Sequence, residues 1–132
     1  MSDRQPKLGG ALNLEFEKQV TDARGTIVFL KYGEKSLNIV QIKKGFARGG
    51  HYHTFDTKHH LLSGVIEYRE KDMNTNQETI KTISAPTVIS VPAMAAHLLI
   101  ALEDTIFAEE FDKGYSATEY APYRQIITQK LT

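Results

Sequence analysis

Apolar and polar residues alternate along most of this chain with the period of two that is typical of β-strands. In the segment 11–17, apolar Leu12, Leu14 and Phe16 are separated by polar residues, which predicts a half-buried strand. Further short apolar runs follow at intervals of about 8–12 residues, and turn residues separate them. The other runs predicted to be strands are 26–32, 36–44, 65–70, 78–83, 87–91, 97–102 and 105–111. This series predicts an all-β sandwich or barrel.

Turn residues and polar stretches locate the boundaries between these runs. Asp22 to Gly25 and Asp72 to Asn76 are rich in residues that tolerate turn geometry, and the second is predicted to be a hairpin tip. Residues 1–10 are polar and end in two glycines, so we predict a flexible N-terminal arm there. Residues 11–132 then form one domain.

The C-terminal stretch is the one place where the pattern favours a helix. Ser116 and Glu119 have the spacing of a capping box, and Pro122 suits a first helical turn. Tyr123 follows, and together with Ile126 and Ile127 it forms an apolar stripe that could dock on the barrel.

Composition excludes several classes of partner and site. The chain has 132 residues, with 16 basic and 16 acidic side chains and no run of like charge, so neither nucleic acid nor a membrane surface is an expected partner. Cysteine is absent, which excludes disulfides and thiolate metal sites. No secretory signal and no apolar stretch near the roughly 20 residues of a membrane span is visible, so we expect a soluble cytoplasmic protein.

The five histidines fall in two places, and their spacing is the main functional signal. His51 and His53 are two apart, so on a strand both point to one face. His97 follows later, behind a proline that ends the preceding strand. Imidazole nitrogens at such positions can hold a divalent transition metal such as Zn, Fe, Ni, Mn or Cu, and they can also act as general acid or base without an ion.

The segment after His53 leaves two registers open. If Thr57 points inward, His59 and Leu61 share its face, and His59 becomes a fourth candidate metal ligand. A shift of one residue would instead turn Lys58 and His60 inward.

Two further residues are candidates for binding the substrate. Arg48 lies just before the histidine pair and could bind a phosphate or carboxylate group through two hydrogen bonds. Tyr52, between the two histidines, could serve as an acid or as a stacking surface.

The motif spacing resembles the cupin superfamily. Gly45, His51, His53, Thr57 and Gly64 stand at the spacing of the first cupin motif, G-x5-H-x-H-x3-T-x6-G, with threonine where cupins usually have a metal-binding glutamate. The second motif is represented by a proline and a histidine, Pro92 and His97. The resemblance implies a single-domain cupin jelly-roll barrel with a short C-terminal helical segment, in which histidines from several strands point at one site.

Within that superfamily, the chain is most similar to the small dTDP-sugar 3,4-ketoisomerases. The D-x-R-G turn that begins at Asp22, the R-G-x-H-x-H pattern that begins at Arg48, and the tyrosine-rich C-terminal segment carry this likeness. The resemblance implies that His51 and His53 move protons on a keto-sugar and that no metal is required. Where that family has a catalytic tyrosine, this chain has the pair 39–40, isoleucine and valine.

The functional expectation is therefore a small-molecule cupin, with an isomerase or epimerase acting on a nucleotide-linked keto-sugar or a similar carbonyl compound as the first hypothesis. His51 or His53 would be the general base. The alternatives are a metal-dependent cupin, such as an oxygenase with His51, His53 and His97 as ligands, and a cupin that binds a ligand without catalysis. We also expect a homodimer, with the strand at 11–17 paired or exchanged between subunits.

Overall fold

The computed structural model of the protein describes residues 13–111 and 116–132, and the arm predicted at residues 1–10 lies outside them. The described residues form strands and one C-terminal helix. In chain order they are β1 (Leu14–Asp22), β2 (Gly25–Tyr32), β3 (Lys35–Ile42), β4 (Ala47–Tyr52), β5 (Thr57–Ser63), β6 (Val65–Asp72), β7 (Glu78–Ser84), β8 (Thr87–Val91), β9 (Ala95–Ala101), β10 (Thr105–Phe111), β11 (Thr118–Glu119) and α1 (Ala121–Leu131). Each run predicted from the alternation corresponds to one of these strands.

The strands form two antiparallel sheets. One has six strands in the order β1-β2-β3-β10-β5-β8, and the other has five in the order β11-β4-β9-β6-β7. Each sheet also pairs strands that are distant in sequence, as β10 lies between β3 and β5, and β9 lies between β4 and β6. The arrangement is a single-domain jelly roll with one short C-terminal helix, which confirms the predicted fold class.

The main core lies between the two sheets. Its buried members come from both inner faces and are Val40, Ile42, Leu61, Ile66, Tyr68, Ile89, Val91, Ala95, Leu99, Ala101 and Phe107. On β3 the buried set is Asn38, Val40 and Ile42, while Leu37 and Ile39 are only half-buried. The polar Asn38 therefore shares the inner face with the core, a placement that the alternation of apolar residues did not indicate.

The strand β1 differs from its prediction. Leu14 and Phe16 are 56% and 64% exposed, so the strand is not half-buried. The physical reason is its position, because β1 is the first strand of the six-stranded sheet and, among the residues that the structure describes, pairs only with β2. Its alternation places Phe16 opposite Leu30 on the outer face of the sheet.

The C-terminal helix begins later than the predicted capping box. Its N-cap is Tyr120, which makes no side-chain cap, and Glu119 belongs instead to β11, which pairs with β4. The capping-box prediction at Ser116 was therefore wrong. Pro122 does lie in the first turn, and Tyr123 and Ile127 are buried, so the apolar stripe docks as predicted on a second cluster formed with β4 and β9.

The helix α1 covers 11 residues. Across residues 13–111 and 116–132, no helix has the length and apolar character needed to cross a membrane.

Candidate metal centre

Two glycines in β4 bring the side chains of Arg48 and His51 to one face of the strand. Gly49 and Gly50 have φ angles of +107° and +78°, and the pairing of β4 with β9 shifts register between Gly49 and His51. Without this bulge, Arg48 and His51, which are three residues apart, would point to opposite faces. With it, both line the same cavity. A Cβ atom on Gly49 would lie 2.7 Å from the backbone oxygen of His97, so the bulge leaves no room for a side chain there.

The structure brings His51, His53 and His97 together. His51 pairs directly with His97 across β4 and β9, and the ring centroids of the three histidines are 4.8 to 5.6 Å apart. One ring nitrogen from each lies within 4.8 Å of the others, so the three form a group that could hold a metal ion. The His53 and His97 side chains are buried, at 3% and 1% exposure.

His97 also belongs to a second group of candidate metal ligands, together with His59 and Glu109. Thr57, His59 and Leu61 are buried while Lys58 is exposed, so β5 adopts the first of the two registers that the sequence left open. His59 is joined to Glu109, its partner residue on β10, by a 3.1 Å contact between Nε2 and Oε2. His59, His97 and Glu109 also offer ligand atoms within 4.8 Å of one another.

Hydrogen bonds fix which nitrogen of each ring carries a lone pair. His53 Nδ1 lies 2.7 Å from the Ser116 backbone oxygen, and His97 Nδ1 lies 3.4 Å from that of Ala95. A carbonyl oxygen can only accept, so both Nδ1 atoms donate, and Nε2 carries the lone pair in each ring. Metal-binding histidines typically donate their other ring N–H to a carbonyl or carboxylate in this way.

Burial favours the neutral form of two of these imidazoles, His51 and His97. Desolvation, together with the neighbouring His53, lowers the pKa of His51 to about 4, and desolvation lowers the pKa of His97 well below its ordinary value. Burial alone would raise the pKa of the Glu109 carboxyl, but the hydrogen bond from His59 and the nearby imidazoles lower it to about 2. At neutral pH His51 and His97 are therefore neutral, and Glu109 is a carboxylate.

A pH-dependent loss of stability should follow from these shifts in the metal-free protein. His51 takes up a proton near pH 6.5 when unfolded and only near pH 4 when folded. Unfolding therefore binds protons in this window, and the free energy of unfolding should fall as pH drops from 6.5 to 4, by about 2–3 kcal/mol for His51 alone. The pKa of Glu109 is also lowered in the folded protein, so its contribution to stability is lost in the same direction, but at lower pH, between about 4.5 and 2.

Urea denaturation of metal-free protein at pH 7, 5.5 and 4 measures this dependence. The variant His51→Gln should show a flatter profile than the wild type. Equal stability of the wild type at all three pH values would contradict the burial of neutral histidines.

A cavity of about 460 Å³ opens onto the histidines. Arg24, Arg48 and Arg124 contribute to its lining. Arg48 is 7% exposed, and its guanidinium donates to the backbone oxygens of Gln41 and Gly25, so its position is fixed by the barrel. The cavity lining thus combines arginines and histidines with two glutamates, Glu109 and Glu119. Arg24 forms an ion pair with Asp22, and Arg124 forms one with Glu119.

The structure does not bring Tyr52 to this cavity. Tyr52 projects to the other face of β4 and packs against the cluster beneath α1, because residues on a strand alternate between faces. The substrate-binding role predicted for Tyr52 therefore has no support in its position.

Sequence reasoning missed Glu109. Phe107, Glu109 and Phe111 alternate along β10, and both phenylalanines are buried. A carboxylate in phase with two buried aromatic residues faces the interior, and a buried charge is costly unless it is paired. This pattern was the available signal in the sequence.

Comparison with known proteins supports the fold. No family model and no curated protein matches the sequence. Among solved structures, the capsular polysaccharide assembling protein CapF from Staphylococcus aureus is 18% identical, with a TM-score of 0.68 over 85% of this chain and 34% of its own. Both CapF and oxalate decarboxylase are cupins. The chain has the cupin fold.

Two oxalate decarboxylases provide further cupin neighbours. The Bacillus subtilis enzyme, which has Mn(II) centres, is 16% identical, with a TM-score of 0.69 over 78% of this chain and 30% of its own. The enzyme from Lactobacillus farciminis, solved as a formate complex, is 21% identical, with a TM-score of 0.68 over 77% of this chain and 33% of its own. The chain spans about a third of the length of each neighbour, and at these identities the likeness concerns the fold.

Proposed function

We propose that this protein is a metal-dependent cupin that acts on a small molecule in the cavity above its histidines. The ligands would be His51, His53 and His97, with His59 as a fourth. The observation that carries the proposal is that His97 Nε2 is buried and has no hydrogen-bond partner among residues 13–111 and 116–132, while its Nδ1 donates to a carbonyl. A buried nitrogen lone pair facing two other imidazoles fits a divalent transition metal.

The burial of His51 and His97 favours this metal-dependent function over metal-free proton transfer. A general acid must carry a proton near neutral pH, and a pKa of about 4 makes His51 a poor donor. His97 is also a poor proton donor, because burial lowers its pKa well below the ordinary value. When bound, a divalent ion would instead polarise a carbonyl or carboxylate oxygen of the substrate as a Lewis acid.

The cavity suggests a small anionic or strongly polar substrate. Arg48 is held by backbone oxygens and lines the cavity, where its charge would attract a carboxylate or phosphate group. Arg24 and Arg124 also line the cavity, and ion pairs with Asp22 and Glu119 offset part of their charge. The oxalate decarboxylases with the same fold are named for a small dicarboxylate. We propose a small carboxylate or a phosphorylated carbonyl compound as the substrate class.

A keto-sugar isomerase is the second candidate. One observation favours it, since His51 is half-buried, lines the cavity and is neutral, so it could accept a proton from a bound substrate. The resemblance of the R-G-x-H-x-H segment to the dTDP-sugar 3,4-ketoisomerases supports the same role.

Metal removal separates the two candidates. Metal-loaded and metal-free protein should be titrated calorimetrically with oxalate and with simple phosphates, and incubated in D2O with dTDP- and UDP-keto-sugars. We expect saturable binding of at least one anion only in the metal-loaded form, and no exchange of sugar α-hydrogens in either form. Exchange by metal-free protein that requires His51 would support the isomerase and contradict the metal-dependent function.

We also propose that the protein forms a homodimer through β1. No strand of the described part of the chain pairs with the outer edge of β1, and β1 exposes Leu14 and Phe16, which is a combination that favours association with a second strand. Light scattering at micromolar concentration should give a dimer, and Phe16→Glu should give a monomer. The control is Leu131→Glu, at an exposed apolar residue on the helix, which should leave the dimer intact. A monomeric wild type would contradict the proposal.

A further inference from the structure

We propose that Glu109 replaces the glutamate missing from the first cupin motif, by orienting His59 so that its Nδ1 becomes the fourth ligand of a four-histidine metal site. The inference rests on the proposed metal-dependent function. Thr57 occupies the motif position and offers only a neutral hydroxyl. The carboxylate lies instead on β10, the strand next to β5.

The sheet register fixes Glu109 between two partners. Glu109 lies opposite Asn38 on β3 and opposite His59 on β5. Its Oε1 accepts from Asn38 Nδ2 at 3.3 Å, and its Oε2 accepts from His59 Nε2 at 3.1 Å. Both carboxylate oxygens are thus engaged in hydrogen bonds that hold neighbouring side chains in place. Glu109 is therefore a positioning residue, with 13% of its side chain exposed.

The orientation of His59 leaves one nitrogen for a ligand role. The carboxylate accepts from Nε2–H, so the other nitrogen, Nδ1, faces away from Glu109. That nitrogen is buried and has no hydrogen-bond partner within the two described stretches, 13–111 and 116–132. The His59 ring lies 5.2 Å from the His97 ring, centroid to centroid, and His97 Nε2 lacks a partner there too. Two buried nitrogens without partners, on neighbouring rings, indicate a shared cation.

Charge balance gives Glu109 a second effect. Four neutral imidazoles leave the full charge of a divalent cation uncompensated in a buried site, which is unfavourable. A carboxylate hydrogen-bonded to one ligand offsets part of that charge and makes the ligand more basic. Loss of the charge should weaken metal binding even when the hydrogen bond is kept.

The chain contains a matched control pair one residue further along each strand. His60 Nε2 lies 3.2 Å from Glu110 Oε1, across the same two strands as His59 and Glu109 but on the outer face. This pair has the same chemistry and is about one-third exposed. Removing the His60–Glu110 pair tests whether the effect on metal binding is specific to His59 and Glu109, or follows from the loss of any histidine–carboxylate pair on these strands.

Pulsed electron paramagnetic resonance of the Cu²⁺-loaded protein counts the imidazoles bound to the ion, and Zn²⁺ calorimetry gives the affinity. We expect four imidazoles in the wild type and three in His59→Gln. Glu109→Gln keeps an acceptor for His59 and should retain four imidazoles with Zn²⁺ affinity reduced about 10- to 100-fold. Glu109→Leu should give three, and His60→Gln and Glu110→Gln should match the wild type. Circular dichroism verifies folding of each variant.

Two results would overturn the inference, and they are distinguishable. If the wild type binds Cu²⁺ through three imidazoles and His59→Gln is unchanged, the four-histidine site is wrong while the metal-dependent function stands. If the folded wild type binds neither Cu²⁺ nor Zn²⁺, both proposals fail.

Discussion

Replacing His97 by glutamine is expected to abolish tight binding of divalent transition metals, with an affinity loss of more than about 100-fold. This loss of affinity is larger than the 10- to 100-fold effects seen for residues that only support a ligand, because His97 would bind the ion directly. His97 belongs to both groups of ligand atoms that the fold assembles. Glutamine has a similar length and keeps polar character, so the barrel should fold. Zn²⁺ calorimetry on the purified variant measures the loss.

The control for this prediction is His60→Gln, which removes a histidine from the outer face of β5. Its Zn²⁺ affinity should equal that of the wild type. An affinity of His97→Gln within threefold of the wild type would mean that the ion, if bound, is held elsewhere.

Substituting alanine for Gly49 is expected to destabilise the metal-free protein by about 3 kcal/mol or more. A non-glycine residue at a φ of +107° carries a backbone strain of about 1–3 kcal/mol. The added Cβ would also lie 2.7 Å from the His97 backbone oxygen, which is part of the β4 and β9 pairing and cannot move freely. Urea denaturation measures the change in the free energy of unfolding.

Gly45 separates the two causes of that loss. Its φ is +92°, yet a Cβ there would meet no atom within 4 Å, so Gly45→Ala carries the backbone strain alone. We expect Gly45→Ala to cost about 1–2 kcal/mol, clearly less than Gly49→Ala. Equal losses for the two variants would show that the close approach to His97 contributes nothing.

The fold could be predicted from the sequence because, in a two-layer β-protein, the strand face that packs against the other sheet carries apolar residues at alternate positions. The segments 87–91 and 105–111 were predicted with the same bounds that β8 and β10 have. The strand β1 shows the limit of this reasoning. Alternation in it predicted a buried face, but burial depends on a second layer of structure. Within residues 13–111 and 116–132, β1 has a single neighbouring strand, and Leu14 and Phe16 are exposed.

The candidate site was predictable where ligands are close in sequence. His51 and His53 share a strand face, and the motif spacing associates them with His97. Glu109 was not predicted, because its relation to His59 arises from the pairing of β5 with β10, strands about fifty residues apart. The role of Ser116 depends on its backbone oxygen, which any residue type could provide, so no sequence pattern could indicate it.

The number of metal ions bound per chain tests the central proposal most directly. The two groups of ligand atoms share His97, and its Nδ1 donates to a carbonyl, so one nitrogen remains and only one ion can use it. Protein purified without chelator, loaded with Zn²⁺ or Mn²⁺ and freed of excess metal, should contain one ion per chain by elemental analysis. A content near zero after loading would contradict a metal-dependent function, and two ions per chain would contradict a single site built around His97.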